Sequence, residues 1–241
     1  AGVDARRTGG GAGEGGVWMT DVDIAITSGV GADTYGYSGN PLLNYGVITT
    51  FGLSAGVAIR RPIIRFDLSS IPASAVCSAA TLKITNSSNI SGNTPISIYK
   101  ISDANGDWIE GTKAAIVGAG MPCWSYKAYD TDAWAGSAGL STAGTDYVNT
   151  VLASTTLTNG TAANTQNEIS FNSDGLAVIQ SWFGDATNNG FVLFTTNANS
   201  NGFHSKQSTT AGYRPILSIT YTEAVSGVPK HFMHYQRLRS L

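Results

Sequence analysis

Charge is scarce in this chain. Of its 241 residues, 12% are Asp, Glu, Lys or Arg, about half of the ~25% usual in soluble domains. A net charge of −2 and an isoelectric point near 5.9 argue against the basic stripe of a general nucleic-acid binder, so no nucleic-acid partner is expected. Long apolar runs are missing too. No stretch approaches the ~18 consecutive apolar residues of a membrane span, which predicts a soluble chain with no membrane insertion. The N-terminal stretch lacks the apolar h-region of a secretory leader. A start at Ala1 fits removal of an initiator Met or cleavage of a leader equally well. Two cysteines, Cys77 and Cys123, exclude a disulfide framework. One bridge between them and two unrelated thiols are both open.

What is abundant is glycine, with 29 residues, and apolar side chains at 42%. Mean hydropathy is near zero, so the polarity comes from Ser, Thr, Asn and Gln rather than from charge. Such a chain buries a sizeable core and lacks the low hydrophobicity and high net charge of disorder. Its length suits one all-β domain.

Residues 1 to 16 hold seven glycines, ending in the run Gly9 to Gly16, and are expected to form a flexible arm unless a partner orders them. Beyond it, short apolar runs are separated by turn residues. Strands are expected at Ile24-Ala25-Ile26, Val47-Ile48-Thr49, Pro62 to Phe66, Ala80 to Ile84, Ile96 to Tyr99, Glu168 to Phe171, Gly190 to Phe194 and Ile216 to Tyr221. Leu82/Ile84, Ile96/Ile98 and Leu217/Ile219 alternate with polar neighbours at period two, as half-buried strands do. One helix is expected over Asp174 to Phe183, with Leu176, Ile179, Trp182 and Phe183 on one face, Ser173 or Asp174 as its cap and Gly184 at its end. After Thr222 the composition shifts to Ser226-Gly227-Val228-Pro229 and a tail, 230 to 239, with three fixed positive charges and no acid. The predicted fold is all-β: a jelly-roll-like antiparallel β-sandwich with one short helix and extended termini. Its parts are an arm (1–20), a sandwich (21–222) and a basic aromatic tail (223–241).

Several motifs recur in order along the middle of the chain: Asp33-Thr34-Tyr35, Asn44-Tyr45-Gly46, Ile64-Arg65-Phe66-Asp67-Leu68-Ser69-Ser70-Ile71-Pro72, Ala79-Ala80-Thr81-Leu82, Trp108-Ile109-Glu110, Gln180-Ser181-Trp182, Asn188-Asn189-Gly190-Phe191 and Arg214-Pro215-Ile216-Leu217. Together they resemble the DNRLRE-type domain family, related to disaggregatase-type carbohydrate-binding modules, over about 21 to 222. The resemblance implies a non-catalytic jelly-roll module of extracellular, cell-surface and phage-virion proteins, with glycan binding in some members. The chain departs from that pattern at Ser205-Lys206-Gln207, where a Glu is common in the third place, and at Thr112-Lys113, where Thr-Trp is usual. On their own chemistry, Arg65 and Asp67 alternate with Ile64, Phe66 and Leu68. They are expected to point away from the core, as an ion pair or bonded to a neighbouring loop. Trp182 is expected to plug the core, and Gly190 to supply a positive-φ turn.

Catalytic motifs fail on context. Gly52-Leu53-Ser54-Ala55-Gly56 matches the nucleophile elbow but lies between two predicted strands, not at a strand-to-helix turn. Gly11 to Gly16 matches a dinucleotide fingerprint with no strand before it and no helix after it. The acid pairs Asp107/Glu110 and Asp130/Asp132 have no recognisable glycosidase setting. No enzyme is expected. No zinc site is expected, because no His/Cys cluster has suitable spacing. Calcium has one candidate loop, Asp103, Asn105 and Asp107 at alternating positions with Glu110 after them; Asx turns explain the same pattern.

The segment 121 to 147 is rich in aromatics. Trp124, Tyr126, Tyr129 and Trp134 are candidates to stack on sugar rings; the alternative is that Trp124 and Trp134 pin a long ordered loop onto the sandwich. The tail places Phe232, Tyr235 and Leu238 at i, i+3, i+6, with Arg237 and Arg239 beside them. That is an anchoring stripe for a neighbouring chain, or else a disordered end or cloning remnant. The expectation is a structural or decoration subunit of an extracellular or virion-surface assembly, whose partners are copies of itself or other structural subunits. A polysaccharide-binding module, with calcium nearby, is the alternative.

Overall fold

The computed structural model describes residues 3–8, 18–25, 31–185 and 188–223, the side chains of 3–8 and Trp18 excepted. The glycine run and the tail, with Phe232, Tyr235, Arg237, Leu238 and Arg239, lie outside the described residues. The strands are β1 (Val3–Thr8), β2 (Trp18–Ala25), β3 (Ala32–Tyr37), β4 (Leu43–Asn44), β5 (Thr50–Leu53), β6 (Arg60–Arg65), β7 (Val76–Thr85) and β8 (Thr94–Lys100). They continue as β9 (Ile116–Val117), β10 (Tyr126–Ala128), β11 (Asp132–Ala133), β12 (Ala153–Leu157), β13 (Gln166–Ser170), β14 (Phe191–Thr195), β15 (Asn201–His204) and β16 (Ile216–Glu223), with the helix α1 (Ser173–Ser181) between β13 and β14.

Two antiparallel five-stranded sheets form the sandwich, in the orders β1-β2-β16-β7-β13 and β12-β8-β14-β6-β3. Period two decides which side chains meet. Val22, Ile24, Leu82, Ile84, Ile169, Leu217 and Ile219 of the first sheet pack against Ile64, Ile96, Ile98, Phe191 and Leu193 of the second. Fully burying such a side chain contributes roughly 1.5–3 kcal/mol. The two-stranded antiparallel pair β5/β15 stacks Phe51 on Phe203 in the same core, with ring centroids 5.8 Å apart.

Several local expectations are corrected. Residues 47–49 form a turn, and the strand begins at Thr50. The chain there is tied sideways, the Val47 amide donating to the Lys113 carbonyl at 3.3 Å. The helix is capped by Asn172, one residue earlier than expected, its side chain accepting from the Gly175 amide at 2.9 Å. Trp182 and Phe183 are buried as expected, and Gly184 follows with φ 79°. Of the expected flexible arm, Val3–Thr8 is a strand paired with Met19 to Ile24 of β2; these six residues precede the glycine run and include no glycine. Cys77 and Cys123 are separate buried thiols. Of the two alternatives for Arg65 and Asp67, the ion pair is not formed and the loop contact is: Arg65 donates to the Gly106 carbonyl at 3.5 Å with its guanidinium 4.9 Å from the Trp108 ring centroid, while Asp67 accepts from the Ser69 amide at 2.9 Å.

Candidate functional site

Between β8 and its sheet neighbour β12 the chain makes a long excursion, residues 102–146, closed at its base by the bridge between Ile101 and Tyr147. The excursion folds back over the outer face of the second sheet. There Trp108, Trp134 and Leu140 pack on Ala32, Ile63 and Val192 as a second, smaller core. Each indole finds an acceptor: Trp108 donates to the Asn189 carbonyl at 2.8 Å and Trp134 to the Cys123 carbonyl at 3.0 Å. Asp146 ties the far side together, accepting from the amides of Gly136, Ser137 and Thr142 at 2.8–2.9 Å and from Asn105 Nδ2 at 3.1 Å.

At the margin of this second core the sheet keeps aromatic surface in water. Tyr99 on β8, Phe194 on β14 and Tyr147 at the end of the excursion are each half-buried. Their ring centroids are 4.9 to 5.3 Å apart, within the usual range of aromatic pairs. The Arg61 guanidinium lies 4.3 Å from the Phe194 centroid and 5.3 Å from that of Trp124. Arg61 also donates to the Gly139 carbonyl and, at 2.8 Å, to the Ser141 hydroxyl. Burial brings Arg61 down to about 10, which leaves it charged at neutral pH. Register places Ser97 opposite Phe194 and Ser154 opposite Ser97, so hydroxyl residues continue the row away from the ring. The result is an aromatic platform with a fixed cation at one side and hydroxyl groups at the other.

The four aromatic candidates separate. Trp134 is 6% exposed and serves the second core, so it presents no stacking face. Trp124 is half-buried and borders the platform through Arg61. Tyr126 and Tyr129 form their own edge-to-face pair at 5.6 Å. Tyr99 and Phe194 were not singled out from the sequence. The signal for Tyr99 was the alternation Ile96/Ile98, which leaves positions 97 and 99 facing outward.

The calcium candidates do not converge. Asp103 pairs with Lys100 at 2.8 Å, and Asp107 pairs with Lys127 at 2.7 Å. Asn105 turns inward to Asp146, and Glu110 pairs with Lys206. The two lysine-paired Asp side chains have carboxyls held below the ordinary carboxylate range by those partners. Among the described residues no group of three or more His, Cys, Asp or Glu side chains is placed to hold a metal. Gly52 to Gly56 lies at the end of β5 and the following turn, which offers no strand-to-helix elbow.

A second polar centre gathers four of the sequence motifs. Asn44 donates to the carbonyls of Glu110 and Pro122 at 3.0 and 2.9 Å and accepts from the amides of Gly46 and Lys113. Asp33 accepts from the Lys206 amide at 2.7 Å, and its own amide donates to Glu110 Oε1 at 3.4 Å. Gln207 donates from Nε2 to Glu110 Oε1 at 3.2 Å and to the Gly46 carbonyl at 3.1 Å. A Glu at 207 would set a third carboxylate against Glu110, so the amide suits this neighbourhood. Burial, with Glu110 alongside, pushes the Asp33 carboxyl up to about 7, and burial also raises Glu110. No protein-family model matches the chain, and no curated protein sequence does.

Proposed function

We propose that this chain is a non-enzymatic β-sandwich module of an extracellular or virion-surface assembly that binds carbohydrate at the platform of Tyr99, Tyr147 and Phe194. The observation that carries the reading is the half-buried aromatic triad at the margin of the second sheet, flanked by hydroxyl residues and Arg61. Aromatic faces bury the apolar side of a sugar ring while neighbouring polar groups bond its hydroxyls. The resemblance to DNRLRE-type domains points the same way. So does the use of the candidate acids as partners of lysines rather than as a facing pair across a groove.

The test is affinity electrophoresis of the protein and its Tyr147→Ala variant through gels containing neutral soluble polysaccharides. At least one polysaccharide is expected to retard the protein, with the variant folded and running free. Equal retardation of both, or none in a broad panel, sinks the reading.

A second reading, a structural subunit whose termini contact neighbouring chains, is favoured by β1. This strand comes from the segment expected to reach a partner, and it ends the first sheet. A strand at that position offers backbone groups to another chain.

A further inference from the structure

Five ion pairs join described residues, and four of them keep their carboxylate in water: the acids at Asp23, Asp103, Asp107 and Asp132 are 49%, 84%, 76% and 52% exposed. The fifth is different. Lys206 Nζ meets Glu110 Oε2 with side chains only 7% and 15% exposed, and Asp33, 1% exposed, lies against both residues. The Lys206 ammonium thus meets the Glu110 carboxylate, and the Asp33 carboxyl hydrogen-bonds the Glu110 side chain and the Lys206 backbone amide, in a place where a buried charge pair is costly. Lys206 Nζ is held there by a second bond, to the Gly31 carbonyl at 3.2 Å, and Glu110 is held from its other side by Gln207.

We propose that Lys206 and Glu110 condense into an intramolecular amide, with Asp33 as the proton-transfer group. Transfer of a proton from the Lys206 ammonium to the Glu110 carboxylate removes both charges and leaves a free amine beside a neutral acid. Nζ then forms a bond to Cδ of Glu110, and one C–O bond of that carboxyl breaks. Asp33 gives its proton to the departing hydroxyl, which leaves as water, and takes one from the nitrogen, ending as it began. No oxidant or co-reactant is needed. Fixed proximity supplies the effective concentration that separate groups in solution lack. A neighbouring acid supplies the proton transfers, and its elevated carboxyl keeps that proton available near neutral pH. The product links the turn after β15 to the excursion between β8 and β12, exchanging a buried ion pair for a neutral amide.

The decisive measurement is the intact mass of the purified full-length chain, followed by proteolysis and fragment sequencing. The expected result is a chain one water lighter than its sequence, with a branched peptide joining the segments that contain Glu110 and Lys206. The Asp33→Asn variant is expected to keep the full sequence mass. A wild-type chain at full mass after incubation near neutral pH overturns the proposal. So does a water loss that maps elsewhere, for example to a cyclised Asp174-Gly175 step.

Discussion

The two sheets share one inner-face logic and part company on their outer faces. The first sheet shows water a lawn of short polar residues: Asp21 and Asp23 on β2, Ser218 and Thr220 on β16, and Thr81 and Lys83 on β7. Thr220 donates to Asp21 at 2.6 Å, Ser218 donates to Asp23, and Lys83 pairs with Asp23 at 3.5 Å. They line an open depression of about 320 Å³. The second sheet puts Ile63 and Val192 at the equivalent outward positions, and both are covered by the 102–146 excursion. A sheet wet on one side reads as apolar-polar alternation, and one covered on both sides reads as a continuous apolar run. This is the difference between Ile216 to Tyr221 and Phe191 to Phe194.

The strongest way to break the comparison is to remove a plug from the covered face. Trp108→Ala is expected to lose about 3–5 kcal/mol of unfolding free energy, read from the urea midpoint. A loss under about 1 kcal/mol would mean that the excursion rests on the sheet without holding it. On the bare face, Thr220→Ala is expected to shift stability by no more than about 0.5 kcal/mol.

The polar centre supplies a pH signature that neither face has. Asp33 titrates near 7 when folded against 3.8 as an ordinary Asp, so the native state binds the extra proton in between. The contribution is fully present below about pH 4 and is lost as pH rises through about 7, with Glu110 and Lys206 as the charged neighbours. Unfolding free energy is expected to fall over that window, and Asp33→Asn to flatten the slope. An unchanged slope in the variant would assign the titration elsewhere. Burial, the largest cause, persists if Glu110 and Lys206 are joined, so the direction is the same in either case.

One expected effect is a gain. Thr34, on the covered side of β3, is 3% exposed, and its hydroxyl finds no partner among the described residues. Thr34→Val is expected to add up to about 1 kcal/mol. A net loss would mean that the hydroxyl has an acceptor after all, such as a bound water.

Much of the sandwich was legible because Leu82/Ile84, Ile96/Ile98 and Leu217/Ile219 alternate. The turn at 47–49 misled because Val and Ile there have strand propensity while their backbone serves sideways ties, Val47 to Lys113 and Ile48 to Ser205. The Asn172 cap was displaced by one residue from Ser173 because neighbouring Asn and Ser both suit the position. The site was legible only in part. Local spacing advertised Asp103, Asn105, Asp107 and Glu110 as one loop, but the fold sends them to four different partners. Tyr99, Tyr147 and Phe194 come together only through the pairing of β8 with β14 and the return of the excursion, which no local pattern records.

Because β8 and β12 are adjacent in the sheet, the excursion leaves and re-enters at almost the same point, pinched by Ile101 and Tyr147. Its length and content can therefore change without disturbing strand order. Such an insertion is a visor hinged at one point: its exposed rim is free to vary, while the indoles on its inner side stay committed to the sheet beneath.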